Sequence, residues 1–319
     1  MKKSIILIVV SLIIALIIPF FAGNFTLRFA TDILIFAIMA SSWNIIGGYT
    51  GYASFGNIVF FGLGAYVTAL LMAHLNMNFF IAMFIGGIVS AIFGYVVGLP
   101  MLRLKGHYFA IGTLGLAEAV KALVQNLNIT EGNAGIYAPI PDLPIKAFYN
   151  FFYYTSLAVL VILLFVTYRV LKSKFGYGLI AIKEDEDAAN SMGINTTLFK
   201  SLAFSLSGFF TGIAGGIYAY QQGFIKPDSV FAVSKTVEMI VMSVFGGIGS
   251  IFGPLIGSVA IELISNFLSS SFLVAHGLFF GAIIIVTILF VPKGIYDIIS
   301  ERKKIGISYF LKNIRRNKI

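Results

Sequence analysis

Lys172 to Lys200 reads KSKFGYGLIAIKEDEDAANSMGINTTLFK, the one long polar run between otherwise apolar segments. Glu184, Asp185, Glu186 and Asp187 stand together in it, followed by Ala188, Ala189 and then Gly193. Acidic side chains favour a helix N-terminus, where unpaired peptide N–H groups leave partial positive charge; each contributes about 0.3–1 kcal/mol at a surface. Ala188, Ala189 and Met192 propagate a short helix, and Gly193 can take the left-handed conformation that ends one. Asn195 is placed to cap the next helix, which enters apolar sequence at Leu198. The expectation is a short helix outside the bilayer, gripped at both ends by membrane-bound chain, so that a push on it moves the membrane part. A solvated loop helix of no special purpose is the competing reading.

The rest of the chain supplies the membrane part. Of 319 residues, 59% are hydrophobic and 11% charged, and the mean hydropathy is +0.96. Soluble domains carry about 25% charged residues. A span needs about 20 apolar residues, and such stretches recur from end to end. The fold class is therefore an all-α polytopic membrane protein, one transmembrane domain over 1–319 with no room for a separate soluble domain. With no cysteine, disulfides, thiol nucleophiles and cysteine metal sites are excluded. Met1-Lys2-Lys3 before an apolar run resembles a signal peptide, but Phe20-Phe21-Ala22 is a poor cleavage site, so an uncleaved first helix is expected.

Ten crossings are expected: Ser4–Ala22, Arg28–Ile46, Gly51–Ala73, Asn78–Pro100, His107–Asn126, Phe148–Leu171, Ser201–Gln221, the short Thr236–Gly249, Pro254–Ser271 and Ala275–Val291. Both termini then lie in the cytoplasm, together with a coupling loop (172–200) and a basic tail (292–319). In this arrangement seventeen of the 22 Lys and Arg fall on the inner side, as the positive-inside rule requires. That rule, rather than nucleic-acid binding, accounts for the net charge of +9. The tail interleaves basic and apolar residues and suits a helix on anionic membrane lipids. Leu127–Ala147 is the longest outer loop; a delivery protein could touch it, and a plain loop fits it as well.

Two glycine-rich runs interrupt the spans. Gly47–Tyr66 holds Gly47, Gly48, Gly51 and Gly56 among its six glycines, with Ser54 inside it and Trp43 and Asn44 just before. Phe245–Gly257 holds Gly246, Gly247, Gly249 and Gly253 among five, plus Pro254. A glycine costs a helix interior about 1 kcal/mol relative to alanine, so these are places where a helix breaks or another backbone comes close. Close helix packing is the simpler reading; broken helices lining a pathway, as in transporter repeats, is the sharper one. Both runs fall at cytoplasmic ends, which suits a parallel internal repeat better than an inverted one, or no repeat at all.

Charges inside spans are the remaining candidates. Glu118 sits mid-way along the fifth span with Lys121 one turn later, and Glu262 lies near the middle of the ninth. A central charge costs about 2.5–3.5 kcal/mol on insertion scales, so such groups face the bundle interior. Glu118 and Lys121 at i,i+3 are expected to neutralise each other; Asp32 and Glu238 lie near enough to the outer boundary to reach water. No Gly-Lys dipeptide occurs, so there is no phosphate-binding loop of that kind. His74, His107 and His276 are scattered, and no nucleophile–base pair or metal cluster is present to suggest an enzyme. Energy for uphill transport would come from a partner ATPase or an ion gradient.

Asp187–Gly193, with its Asp-Ala-Ala-x-x-x-Gly pattern, resembles the EAA-type coupling motif of ABC-importer permeases, with Asp for the usual Glu. Together with GYTGYASFGNIVFFGLGAY, LKGHYFAIGTLGLAE, GFIKPDSV, VFGGIGSIFGPLIG and LFVPKGIYDII, in this order between about Ile46 and Asp297, the chain resembles LivM-type permeases of branched-chain amino acid ABC importers. The Ser-Met-Gly-Ile-Asn ending of the acidic helix is more like LivM than like LivH or the urea-transport relatives. The resemblance implies a heterodimer with a LivH-like permease, two cytoplasmic ATPases of the LivG and LivF kind that use ATP and magnesium, and an extracytoplasmic binding protein. This chain would bind no cofactor, sit in a bacterial inner membrane, and dock Glu184–Gly193 into the ATPases. A permease for a sugar, nucleoside or urea, and an ion-coupled carrier acting alone, are the alternatives.

Overall fold

The computed structural model describes residues 2–271, with 281, 294 and 295 beyond them. The helices are α1 (Lys2–Phe21), α2 (Asn24–Thr50), α3 (Asn57–Leu75), α4 (Phe79–Met101), α5 (His107–Asn126), α6 (Ile145–Leu171), α7 (Lys174–Glu184), α8 (Glu186–Ser191), α9 (Thr196–Gln222), α10 (Pro227–Val230), α11 (Val233–Gly247) and α12 (Gly253–Ser271). Six stretches are long and apolar enough to cross a membrane: α2, α3, α4, α6, α9 and Pro227–Gly247. Gly253–Phe267 is a shorter apolar helix. The expected fifth crossing is helical over the expected residues but is not one of the six; His107, Glu118, Lys121, Gln125 and Asn126 dilute its apolar content. The expected tenth crossing and the basic tail lie, but for 281, 294 and 295, outside the described residues.

The core is built where small residues let backbones touch. Helices α3, α4 and α9 pack together, and a Cβ added to Gly64 would lie 2.0 Å from the Gly212 carbonyl oxygen, one on Gly215 2.0 Å from that of Phe61. Such close approach brings backbone dipoles and van der Waals surfaces into contact that lipid cannot offer. Polar pairs bind the same seam: Asn57 Nδ2 donates to Ser207 Oγ at 2.8 Å and Ser90 Oγ to the Phe60 carbonyl at 3.1 Å. Around this seam Trp43, Phe60, Phe61, Phe109, Phe152 and Phe204 are fully buried.

The remaining elements close around α2. Helices α6, α9, α11 and α12 all pack on it. The 127–144 loop is more than a plain connection. It carries 3-10 turns at Asn128–Thr130 and Gly132–Ala134, and a short strand, β1 (Ile136–Tyr137), that pairs antiparallel with β2 (Phe224–Ile225) just after α9. Pairing satisfies backbone groups that a loose loop would leave to solvent, so this end of α9 is fixed.

Candidate functional site

The polar run folds as two short helices rather than one. Glu184 ends α7; Asp185 is extended (φ −158°, ψ 111°) and caps α8, its Oδ1 accepting from the Asp187 and Ala188 N–H groups, both at 2.9 Å. Glu186 and Asp187 occupy the first turn of α8, where the helix dipole favours them. Gly193 is left-handed (φ +86°), and Asn195 Oδ1 caps α9 by accepting from Leu198 N–H at 3.1 Å. Glu184, Asp185, Asp187 and Ala188 face solvent, and Met192 is 85% exposed. Ala189 is buried.

Glu186 points inward, onto a group that sequence reasoning counted only as one more inner cation. Lys200, 1% exposed, donates from Nζ to Glu186 Oε1 at 2.6 Å, to the Tyr52 hydroxyl at 2.9 Å and to the Leu102 carbonyl at 2.9 Å. Its ammonium also stands 4.1 Å from the Tyr52 ring centroid, a cation–π contact strengthened by burial. The Tyr52 hydroxyl donates to the second Glu186 oxygen. All three ammonium protons are thereby used. Burial raises the Glu186 carboxyl, but the Lys200 ammonium and Tyr52 hydroxyl more than offset this and hold it below its ordinary value. Burial, and then the Glu186 carboxylate, push the Tyr52 hydroxyl well above its own. At the surface Lys105 and Asp187 pair at 2.8 Å, both largely exposed; the pairing lowers the Asp187 carboxyl and raises the Lys105 ammonium.

Tyr52 belongs to the first glycine-rich run. Helix α2 stops at Gly51, whose φ of +78° is open to glycine without the Cβ clash other residues meet. Residues 51–56 are non-helical until α3 begins at Asn57. Tyr52 touches Lys200 and Asn57 touches Ser207, so this segment climbs alongside α9 by seven residues, about 10 Å at 1.5 Å each. Irregular backbone at that depth needs partners, and it has them. Trp43 Nε1 donates to the Ser54 carbonyl at 2.8 Å and Phe55 N–H to Thr113 Oγ1 at 3.0 Å; Gly56 N–H donates to Ser54 Oγ at 3.2 Å.

The second run comes to the same place. Asn44 on α2 accepts from Gly249 N–H at 2.8 Å and donates to the Ser250 carbonyl at 2.9 Å. Gly48 is where the two runs touch: a Cβ there would lie 1.9 Å from Asn44 Oδ1 and 2.8 Å from Gly249 N. Gly247 and Gly249 carry the turn with positive φ, and Ser250 Oγ accepts from Gly253 N–H at 2.9 Å to start α12, with Pro254 in its first turn. Gly246 meets the Gly253 carbonyl, and Gly47 lies under the Trp43 ring. Lys183 of α7 reaches the junction: a Cβ on Gly249 would lie 3.2 Å from its Nζ. The glycines thus both break helices and bring backbones together.

The expected Glu118–Lys121 pair does not form. Lys121 closes its ion pair with Asp228 at 2.7 Å, because α10 packs against that turn of α5; Glu118 is exposed in this chain. Glu262 lies on α12, away from the glycine breaks. No group of three or more metal-ligating side chains occurs among the described residues. The arrangement links an exposed acidic helix, through one buried lysine, to the unwound segment after α2 and to the chain end of α4.

The family model described as branched-chain amino acid transport system / permease component matches residues 25–288. The high-affinity branched-chain amino acid transport system permease protein LivM of Salmonella typhimurium is 32% identical, covering 92% of this chain and 75% of that protein. The LivM protein of Escherichia coli K12 is 30% identical, over 95% and 77%. A probable branched-chain amino acid transport permease protein LivH of Methanocaldococcus jannaschii is 25% identical, over 73% and 79%. No solved structure matches the chain. By the span of the family match and the identity to LivM, the chain belongs to the branched-chain amino acid transport permease family.

Proposed function

We propose that this chain is the LivM-type membrane subunit of an ATP-driven importer for leucine, isoleucine and valine in a bacterial cytoplasmic membrane. It pairs with a LivH-like permease, takes solute from an extracytoplasmic binding protein, and is driven by two cytoplasmic ATPases that hold ATP and magnesium. Both termini and α8 lie on the cytoplasmic side, in keeping with the distribution of basic residues. Closure of the ATPases presses on Glu184–Gly193, and the displacement passes into the pathway.

The observation that carries this reading is the Glu186–Lys200 pair, with its bonds to Tyr52 and the Leu102 carbonyl. A solvated loop helix has no need to bury a lysine at its root, since desolvating an ammonium costs several kcal/mol unless it is fully paired. A rod that transmits force has that need. The test is the whole importer in proteoliposomes, with Glu184–Asp187 replaced by Ala. Leucine uptake and ATPase co-purification should both fall; if both are unaltered, α8 is not the docking element. Uptake by this chain alone under a proton or sodium gradient would instead establish a carrier.

A further inference from the structure

Both glycine breaks lie under one further side chain, which the coupling reading leaves unused. Lys183 stands in the last turn of α7, two residues before Asp185, the cap of α8. The stem of this lysine crosses the first break and its tip reaches the second. Its Cγ is 3.5 Å from where a Cβ on Gly51 would stand, and its Nζ is 3.2 Å from one on Gly249. The Gly48 carbonyl oxygen lies 3.2 Å from that same Gly249 position. One side chain of the coupling loop thus spans the end of α2 and the turn between α11 and α12.

Two helices finish at this point. The Gly48 carbonyl is among the last four of α2, which lack a donor within the helix, and α11 stops at Gly247. Both ends carry partial negative charge, and an ammonium placed between them is attracted to each. Lys183 is held quite differently from Lys200. Lys200 is 1% exposed and closes on Glu186 at 2.6 Å, so withdrawing it would strand buried charge. Lys183 is exposed and closes no ion pair among the described residues, although Glu184 and Asp185 follow it directly. Its ammonium stays hydrated, so it can leave its place at small cost. The body of α7 cannot leave as easily: Leu179 and Ile182 are buried, and Gly178 lies against the Phe199 ring of α9. Lys183 therefore sits where an anchored helix hands over to an exposed one.

We infer that Lys183 is a positioning residue for transport: a releasable latch that keeps the α11–α12 turn against the end of α2 and lets go when α8 is displaced. This rests on the importer reading above and adds to it a contact through which one push reaches both breaks. Of the two, the Lys200 bonds reach only the first, at Tyr52. Lys200 is then the fixed root of the lever and Lys183 its movable catch.

The experiment uses the complete importer in lipid nanodiscs, where a polar thiol reagent reaches both faces. Ile248→Cys, in the otherwise cysteine-free chain, is the reporter: Ile248 is 38% exposed and precedes Gly249 in the turn. Lys183→Met should raise the rate of its modification about twofold or more, the effect of losing one cation from two helix ends. Lys183→Arg should restore the slow rate. Trapping the ATPases with MgATP and vanadate should speed the reaction in the Lys183 chain and leave the Lys183→Met chain unchanged. A smaller rise with methionine, no recovery with arginine, or trapping that does not distinguish the two chains would overturn the latch. In proteoliposomes, Lys183→Met should also lower leucine uptake per ATP hydrolysed while the ATPases still co-purify, and unchanged coupling would overturn it as well. A wild-type complex that takes up no leucine would fail the importer reading alone, because the labelling comparison between lysine and methionine needs no solute.

Discussion

Replacing Lys200 with methionine isolates the root of α8. The stem volume is kept and the ammonium removed, so packing against Leu102 and Tyr52 changes little. Glu186 then keeps the Tyr52 hydroxyl and Thr196, and the Leu102 carbonyl loses its donor. Removing one partner of a buried pair costs about 3–5 kcal/mol. With Glu186 18% exposed, water can reach the abandoned carboxylate, so the cost falls near the lower end, about 3 kcal/mol. Glu186→Gln still offers the ammonium a neutral amide oxygen beside the Tyr52 and Leu102 acceptors and should cost less, about 1–2 kcal/mol. In the double variant no charge is stranded, so the two losses should fall short of adding by about 1–2 kcal/mol. The assay is thermal unfolding of the purified permease pair across the four-variant cycle, with leucine uptake per ATP hydrolysed measured alongside. Additive effects in the cycle, or a Lys200→Met chain that melts and transports like wild type, would refute the argument that this atom ties α8 to the membrane part.

Other outcomes follow from the same geometry. Acidification should destabilise the permease only as pH falls from the ordinary Glu value, about 4.3, through the lower folded value of Glu186: its folded carboxyl is depressed, so its contribution is complete above that range and lost below it. Glu186→Gln should flatten this part of the pH–stability curve. Asp187→Asn, at a largely exposed pair, should leave the melting temperature unchanged at low and high salt alike. Gly48→Ala puts a methyl 1.9 Å from Asn44 Oδ1; it should cost about 1–3 kcal/mol by overpacking, and melting with uptake will show whether the two glycine runs separate. Asn190→Cys should react with an impermeant thiol reagent from the cytoplasmic side only, and reaction from outside would reverse the orientation.

Local chemistry was legible in the sequence, and long-range pairing was not. The Asn195 cap and the left-handed Gly193 depend on neighbours within four residues, and both form as the sequence leads one to expect. Asp185 breaking the acidic run into two helices is also local, but four carboxylates in a row do not say which one turns to capping. Lys200 escaped notice because its partners, Glu186, Tyr52 and Leu102, are 14, 148 and 98 residues away. The signal available was a lone lysine one turn inside an apolar helix, where exposure to lipid would be costly. Glu118 and Lys121 show the converse. Their spacing permits a pair, yet α10 offers Asp228 at 2.7 Å, and spacing along one helix cannot reveal what another helix brings.

The Asn44 amide grips the second break solely by its main chain, at Gly249 N–H and the Ser250 carbonyl. A clasp of that sort reads no side chain, so what it demands of residue 249 is room and a left-handed bend. Carbonyl and amino ends of Asn44 must both engage, and aspartate, which offers acceptors alone when ionised, would hold the Gly249 side while repelling the Ser250 oxygen. Substituting that one amide for its acid would therefore half-unfasten the junction, leaving the turn between α11 and α12 held to α2 by the Gly249 N–H and by the longer Tyr49 hydroxyl bond to the Ser250 carbonyl, 3.3 Å.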